Sequence, residues 1–185
     1  MDTILDDTPP RSPAPPGSSP PSVDPDRFRH ALSQFLTGVT IVTLAGVDGE
    51  PVGMTANAFT SVSLDPPLVM LCVARSARTF AALDQASRYA VHILHTGQHT
   101  ASTAFARSAA GGGPGKFDGV DWHLTDGGLP VLDDCLARLD CTIAERISLG
   151  DHVGFLGRVD AADVAAIGDR PPLGFFRGGY ANLAG

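Results

Sequence analysis

Apolar residues first fall into step at Phe28, Leu32, Phe35 and Leu36, one stripe at helical spacing behind Asp24-Pro25. Asp24 suits a helix cap and proline suits the first helical position, so the pattern predicts a helix from residue 25 that Gly38 ends. The period then drops to two. Residues 39–45 are rich in β-branched side chains, Asp48-Gly49 signals a hairpin, and residues 51–63 resume as strand. Asp65-Pro66-Pro67 turns the chain into LVMLCVA (residues 68–74), which is apolar on both faces and therefore expected to be buried. Residues 76–83 read as a short capped helix, 89–94 as a strand and 98–107 as a helix. The clearest alternation comes last: Cys135, Ala137, Leu139, Cys141, Ile143 and Ile147 face one way, and Arg138, Asp140, Thr142 and Arg146 the other. Gly150-Asp151 then turns the chain into a returning strand.

Strands dominate without the regular strand–helix alternation of a parallel sheet. The expected fold is mainly β with flanking helices, an antiparallel barrel with the helices packed outside.

Composition changes this picture at one end. Eight of the fifteen prolines lie in the first 25 residues, so residues 1–24 read as a disordered Pro-rich tail and 25–185 as a single folded domain. The net charge of −7 argues against nucleic acid as a partner, and the chain has no apolar run long enough to span a membrane. With three cysteines and no signal-peptide pattern, a reducing cytoplasmic setting is expected.

One stretch fits neither a core strand nor a charged loop. GMTANAFTSVSLDPP (residues 53–67) carries Thr55, Asn57, Thr60, Ser61 and Ser63 with a single charge. It reads either as a hydroxyl-rich edge strand facing water or as the wall of a site for a flat, mostly apolar ligand with a few polar edge atoms.

Together with FLTGVTIVT (35–43), the Ser76/Thr79 pair, Lys116-Phe117, Gly150-Asp151-His152 and FRGGY (176–180), this stretch resembles the short-chain flavin reductase family. These are the reductase components of two-component flavin-dependent monooxygenases. The likeness runs from about Phe28 to Leu183 and implies an antiparallel Greek-key split β-barrel of the FMN-binding type. It further implies a homodimer, and hydride transfer from NADH or NADPH to FMN or FAD. The reduced flavin would be handed to a partner monooxygenase.

The resemblance also implies which residues touch the flavin. Met54, Thr55, Ala56, Asn57, Ala58, Ser61, Val62 and Ser63 would line the ring. Ser76 and Thr79 would lie near the phosphate at a helix start, with Lys116 and Phe117 beside them. Read locally, Ser76 is equally a plain helix cap, and Lys116, the only lysine, a solvated loop residue. His152, Arg177 and Tyr180 would bind the nicotinamide. No protein nucleophile or metal is called for, because the two cofactors carry the chemistry.

Other patterns lead nowhere. AGGGPGKF (110–117) lacks the glycine spacing and the Ser or Thr of a P-loop, and no dinucleotide fingerprint follows a strand. His92, His95 and His99 have no completing carboxylate or thiol in reach of their pattern, and the cysteines read as small core residues. His92 stands where many relatives carry asparagine, a departure at one expected flavin contact. The competing reading is a flavin-binding split barrel without reductase activity.

Overall fold

A computed structural model describes residues 23–107, 114–166 and 170–182. The expected tail, apart from Val23 and Asp24, and Gly111–Gly113 of the glycine-rich loop lie outside the described residues.

Helix α1 (Pro25–Leu32) begins as expected: Asp24 Oδ1 accepts from the N–H groups of Asp26 at 3.1 Å and Arg27 at 3.0 Å, with Pro25 in the first turn. It stops at Ser33, well before Gly38. The reason is long-range. Strand β1 (Thr37–Gly38) pairs with a strand near the C-terminus, Thr37 opposite Phe175, and this pulls Phe35 and Leu36 off the helical path. No residue of α1 is buried, so its apolar face is left uncovered by the described residues.

The chain continues through β2 (Thr40–Ala45), β3 (Pro51–Ala56), β4 (Phe59–Leu64), β5 (Pro67–Ala74), helix α2 (Phe80–Gln85) and β6 (Arg88–Ile93). Helix α3 (His99–Ala106) follows, then β7 (Trp122–Leu124), β8 (Pro130–Leu132), β9 (Ala137–Leu149), β10 (His152–Val164), β11 (Leu173–Phe176) and β12 (Gly179–Asn182). Seven strands form one antiparallel sheet in the order β3-β2-β6-β9-β10-β5-β4; β1-β11-β12 and β7-β8 form two smaller ones.

Consecutive strands β3 and β4 lie at opposite edges of the large sheet, separated only by Asn57 and Ala58. Three Cα steps span at most about 11 Å. The sheet must therefore roll until its edges meet at this point, and β3 and β4 form no ladder with each other. The expected antiparallel split barrel is what forms. The single strand expected over residues 51–63 is in fact two, broken at Asn57.

The doubly buried strand is β2, not β5. Val42 and Leu44 point into the barrel with Leu71, Tyr89 and Phe155, while Ile41 points the other way onto Phe105, Phe117 and Leu173. Full burial of a side chain of this size contributes about 1.5–3 kcal/mol. On β5 only Val69, Leu71 and Val73 are buried; Met70, Cys72 and Ala74 form a half-buried outer face. Cys72 is thus not the core residue the sequence suggested, whereas Cys135 and Cys141 are buried and burial pushes their thiols up to about 11 and about 12.

His92 is fully buried as a neutral tie. Its Nδ1–H donates to Ile41 O at 3.0 Å and its Nε2 accepts from Leu132 N–H at 3.0 Å, joining β2, β6 and β8. Burial lowers its pKa to about 4. His95 accepts from Gly97 N–H and meets Asp134 at 3.0 Å, and the His99 ring lies against Tyr180. Each of the three has a structural partner of its own.

Candidate functional site

Beside the split in the barrel lies a cavity of about 870 Å³. Phe28 and Leu32 of α1, Met70 and Cys72 on the outer face of β5, and Phe175 of β11 supply apolar walls. Asn57 and Ala58, at the break between β3 and β4, form one rim, and Arg177 stands at another. An apolar space with a few placed polar groups is the usual form of a site for a flat organic ligand. Three of the sequence-predicted residues, Asn57, Ala58 and Arg177, line it.

The other predicted flavin residues fall into separate groups. Ser61 and Val62 are exposed on edge strand β4, and Ser63 follows a bulge in the β4–β5 ladder. Ala56 is buried in the barrel core. Thr55, Met54, Thr79, Lys116 and Phe117 instead gather along the far edge of β3. Thr55 Oγ1 donates to Ser102 O of α3 at 2.6 Å, and the Thr79 hydroxyl donates to Met54 Sδ at 3.0 Å.

Lys116 is buried, with Nζ donating to Gly53 O at 3.1 Å and to Phe105 O at 3.0 Å. It is not a loop residue facing solvent. One carbonyl belongs to edge strand β3 and the other to the last turn of α3, where carbonyls lack helical partners and a cation is welcome. Burial and the nearby Arg78 lower the lysine pKa. Phe117 is likewise a core residue, edge-on to Phe105 with ring centroids 4.9 Å apart.

The Ser76 turn also differs from expectation. Helix α2 starts at Phe80 with Thr79 in the cap position, so Ser76 is exposed in the turn before it and caps nothing. The reason is that Ala77 N–H is taken by Ala74 O and Phe80 N–H by Ala77 O, two tight turns that delay the helix. Arg75, next to Ser76, is held by Ser148 Oγ at 2.9 Å.

The predicted nicotinamide residues arrive from two sides. His152 opens β10 opposite Ala74, near the Ser76 turn, with Nδ1 2.8 Å from Asp151 Oδ1; that bond holds the Asp151 carboxyl below its ordinary range. Arg177 and Tyr180 come from the β11–β12 hairpin. Arg177 has φ +50°, a left-handed conformation that favours glycine, and its Nε donates to Gln34 Oε1 at 2.7 Å. The Tyr180 hydroxyl is turned inward onto Ser102 Oγ at 2.8 Å, so the ring, not the hydroxyl, is what Tyr180 can present.

Sequence reasoning missed Met70, Cys72, Phe175, Gln34 and Ser102. The first two could have been found by reading LVMLCVA with a period of two. Nothing local marks Ser102, whose partners lie 47 and 78 residues away.

Residues 32–184 match the model of the flavin reductase like domain, and the chain belongs to that family. It is 36% identical over 162 residues to the "Flavin-dependent monooxygenase, reductase subunit HsaB" of Mycobacterium tuberculosis, covering 87% of this chain and 83% of the relative. It is 40% identical over 157 residues to "Stachydrine N-demethylase reductase subunit Stc3" of Rhizobium meliloti, covering 85% of this chain. The chain spans 65% of Stc3 and 48% of a second Rhizobium meliloti relative. Among solved structures, the NADH:FAD oxidoreductase SgcE6 of Streptomyces globisporus superposes with a TM-score of 0.80 at 39% identity, covering 92% of this chain and 99% of that one.

Proposed function

We propose that this chain is an NAD(P)H-dependent flavin reductase that transfers hydride from reduced nicotinamide to FMN or FAD and supplies reduced flavin to a partner monooxygenase. The observation that carries this reading is the apolar cavity at the barrel split, with Asn57 at its rim. Its size and its sparse polar lining suit a tricyclic ring with one hydrogen-bonding edge. Asn57 and the backbone around Ala58 would hold that edge, while Met70 and Phe175 would support the apolar part.

A bound flavin supplies the two-electron acceptor, so no nucleophile or metal of the protein is required. What the chain contributes is orientation and exclusion of water. Arg177 would meet the hydride donor at the cavity rim, and His152 would approach from the end of β10. The relatives' names, a monooxygenase reductase subunit and an NADH:FAD oxidoreductase, support the donor, the acceptor and the downstream partner. Purified protein is expected to oxidise NADH or NADPH only when FMN or FAD is added. Absence of turnover with all four pairings would remove the enzyme reading, and flavin binding without turnover would favour a flavin carrier.

A second copy of the chain is proposed to cover α1. Phe28, Leu32 and Phe35 stand 54%, 57% and 73% exposed on one side of the cavity, and the half-buried outer face of β5 continues the apolar surface. Large apolar side chains exposed side by side in this way mark an interaction surface, unlike single scattered ones. Sedimentation at micromolar concentration should give a dimer; a monomer would mean that something else covers the helix. No helix among the described residues is long and apolar enough to cross a membrane. A cytoplasmic enzyme with three free thiols is consistent with the proposal.

A further inference from the structure

Ser102 is the one fully buried hydroxyl of α3, and it holds two elements at once. Its backbone carbonyl accepts the Thr55 hydroxyl of β3 at 2.6 Å. Its side-chain hydroxyl meets Tyr180 Oη of β12 at 2.8 Å. The Tyr180 ring is further fixed by His99, centroids 4.1 Å apart, and by Phe175, centroids 5.8 Å apart. Phe175 in turn lines the cavity.

A tyrosine with two free side-chain torsions, packed behind the cavity-lining Phe175, would sample several ring positions. A buried acceptor or donor at the far end of the ring removes that freedom, because leaving the hydroxyl unpaired inside would cost more than the rotation gains. Thr103 Oγ1, at 3.5 Å from Tyr180 Oη, is too distant to substitute well. The strand that carries the Thr55–Asn57 segment and the hairpin that carries Arg177 are thereby referenced to one residue.

We propose that Ser102 is a positioning residue, which fixes the ring of Tyr180 and the edge of β3 relative to each other and so holds in place the cavity rim at which the nicotinamide docks. This rests on the flavin reductase reading. Ser102 touches neither ligand and acts through Tyr180.

The test uses the full chain with Ser102→Ala, Tyr180→Phe and the double variant. The chain has two tyrosines, so ¹³C-labelled tyrosine gives two ring resonances, Tyr89 and Tyr180. In Ser102→Ala the Tyr180 resonance should move and that of Tyr89 should stay. KM for the nicotinamide should rise about 5-fold in each single variant, with kcat within about 2-fold, and the double variant should lose no more than either alone. If Ser102→Ala does not fold, Tyr180→Phe breaks the same bond from its half-buried side and is read alone for the same KM and kcat split. An unmoved Tyr180 resonance, or additive KM effects, overturns the inference while leaving the reductase reading standing. A wild-type protein with no turnover under any pairing overturns that reading, and the inference with it.

Discussion

Gly53→Ala is expected to lose about 3 kcal/mol of stability and most of its flavin affinity. A Cβ at residue 53 would stand 2.4 Å from Phe105 Cε1 and 2.7 Å from Cδ1, closer than real Cβ contacts come. The Phe105 ring cannot step aside, since it is fully enclosed and locked edge-on against Phe117. The strand must move instead. Gly53 begins the run that leads through Thr55 to Asn57, so displacing it shifts the cavity rim as well as the core. Ordinarily alanine outperforms glycine in a strand interior by about 0.5–1 kcal/mol, which makes the sign of the result informative. Thermal unfolding and flavin fluorescence quenching would measure the two losses. Adding Phe105→Leu should recover part of both; if it recovers neither, the close approach of β3 to α3 is not what constrains residue 53.

How far this was legible in the sequence varies from element to element. The Asp24-Pro25 cap, the Asp48-Gly49 hairpin and the long alternating β9 depend on neighbours a few residues away, and local pattern found all three. The barrel itself could be expected from the run of strands. The break at Asn57 was hidden because no glycine or proline marks it; it exists only because β3 and β4 belong to opposite edges of a rolled sheet. Helix α1 ends before its apolar stripe does for the same kind of reason, since Thr37 answers to Phe175 rather than to the helix before it. At the site, three of the residues the resemblance named, Asn57, Ala58 and Arg177, line the cavity. What a motif does not convey is the direction of a side chain. The Tyr180 hydroxyl, the Thr55 hydroxyl and the Lys116 ammonium all turn inward, to partners that only the folded chain supplies.

Lys116→Met should weaken binding of riboflavin and of FMN by the same factor, and lower stability by about 2–3 kcal/mol. The two measurements together separate two roles that a single affinity would confuse. A lysine that grips phosphate would matter for FMN and be irrelevant to riboflavin, which has none. Lys116 instead joins Gly53 O of the edge strand to Phe105 O at the end of α3, and methionine of similar length would leave both carbonyls without their donor. Against that loss stands the relief of not burying a charge with no carboxylate among its hydrogen-bond partners, which is why the expected cost is smaller than two fully orphaned acceptors would suggest. The binding loss follows from the strand: once its tie to α3 is gone, residues 53–57 can drift, and the ring they line is common to both flavins. Lys116→Arg, longer and forked, should recover little, because the enclosed space was shaped around a single ammonium. A loss confined to FMN would return Lys116 to the phosphate and show that its inward bonds are broken when the ligand arrives.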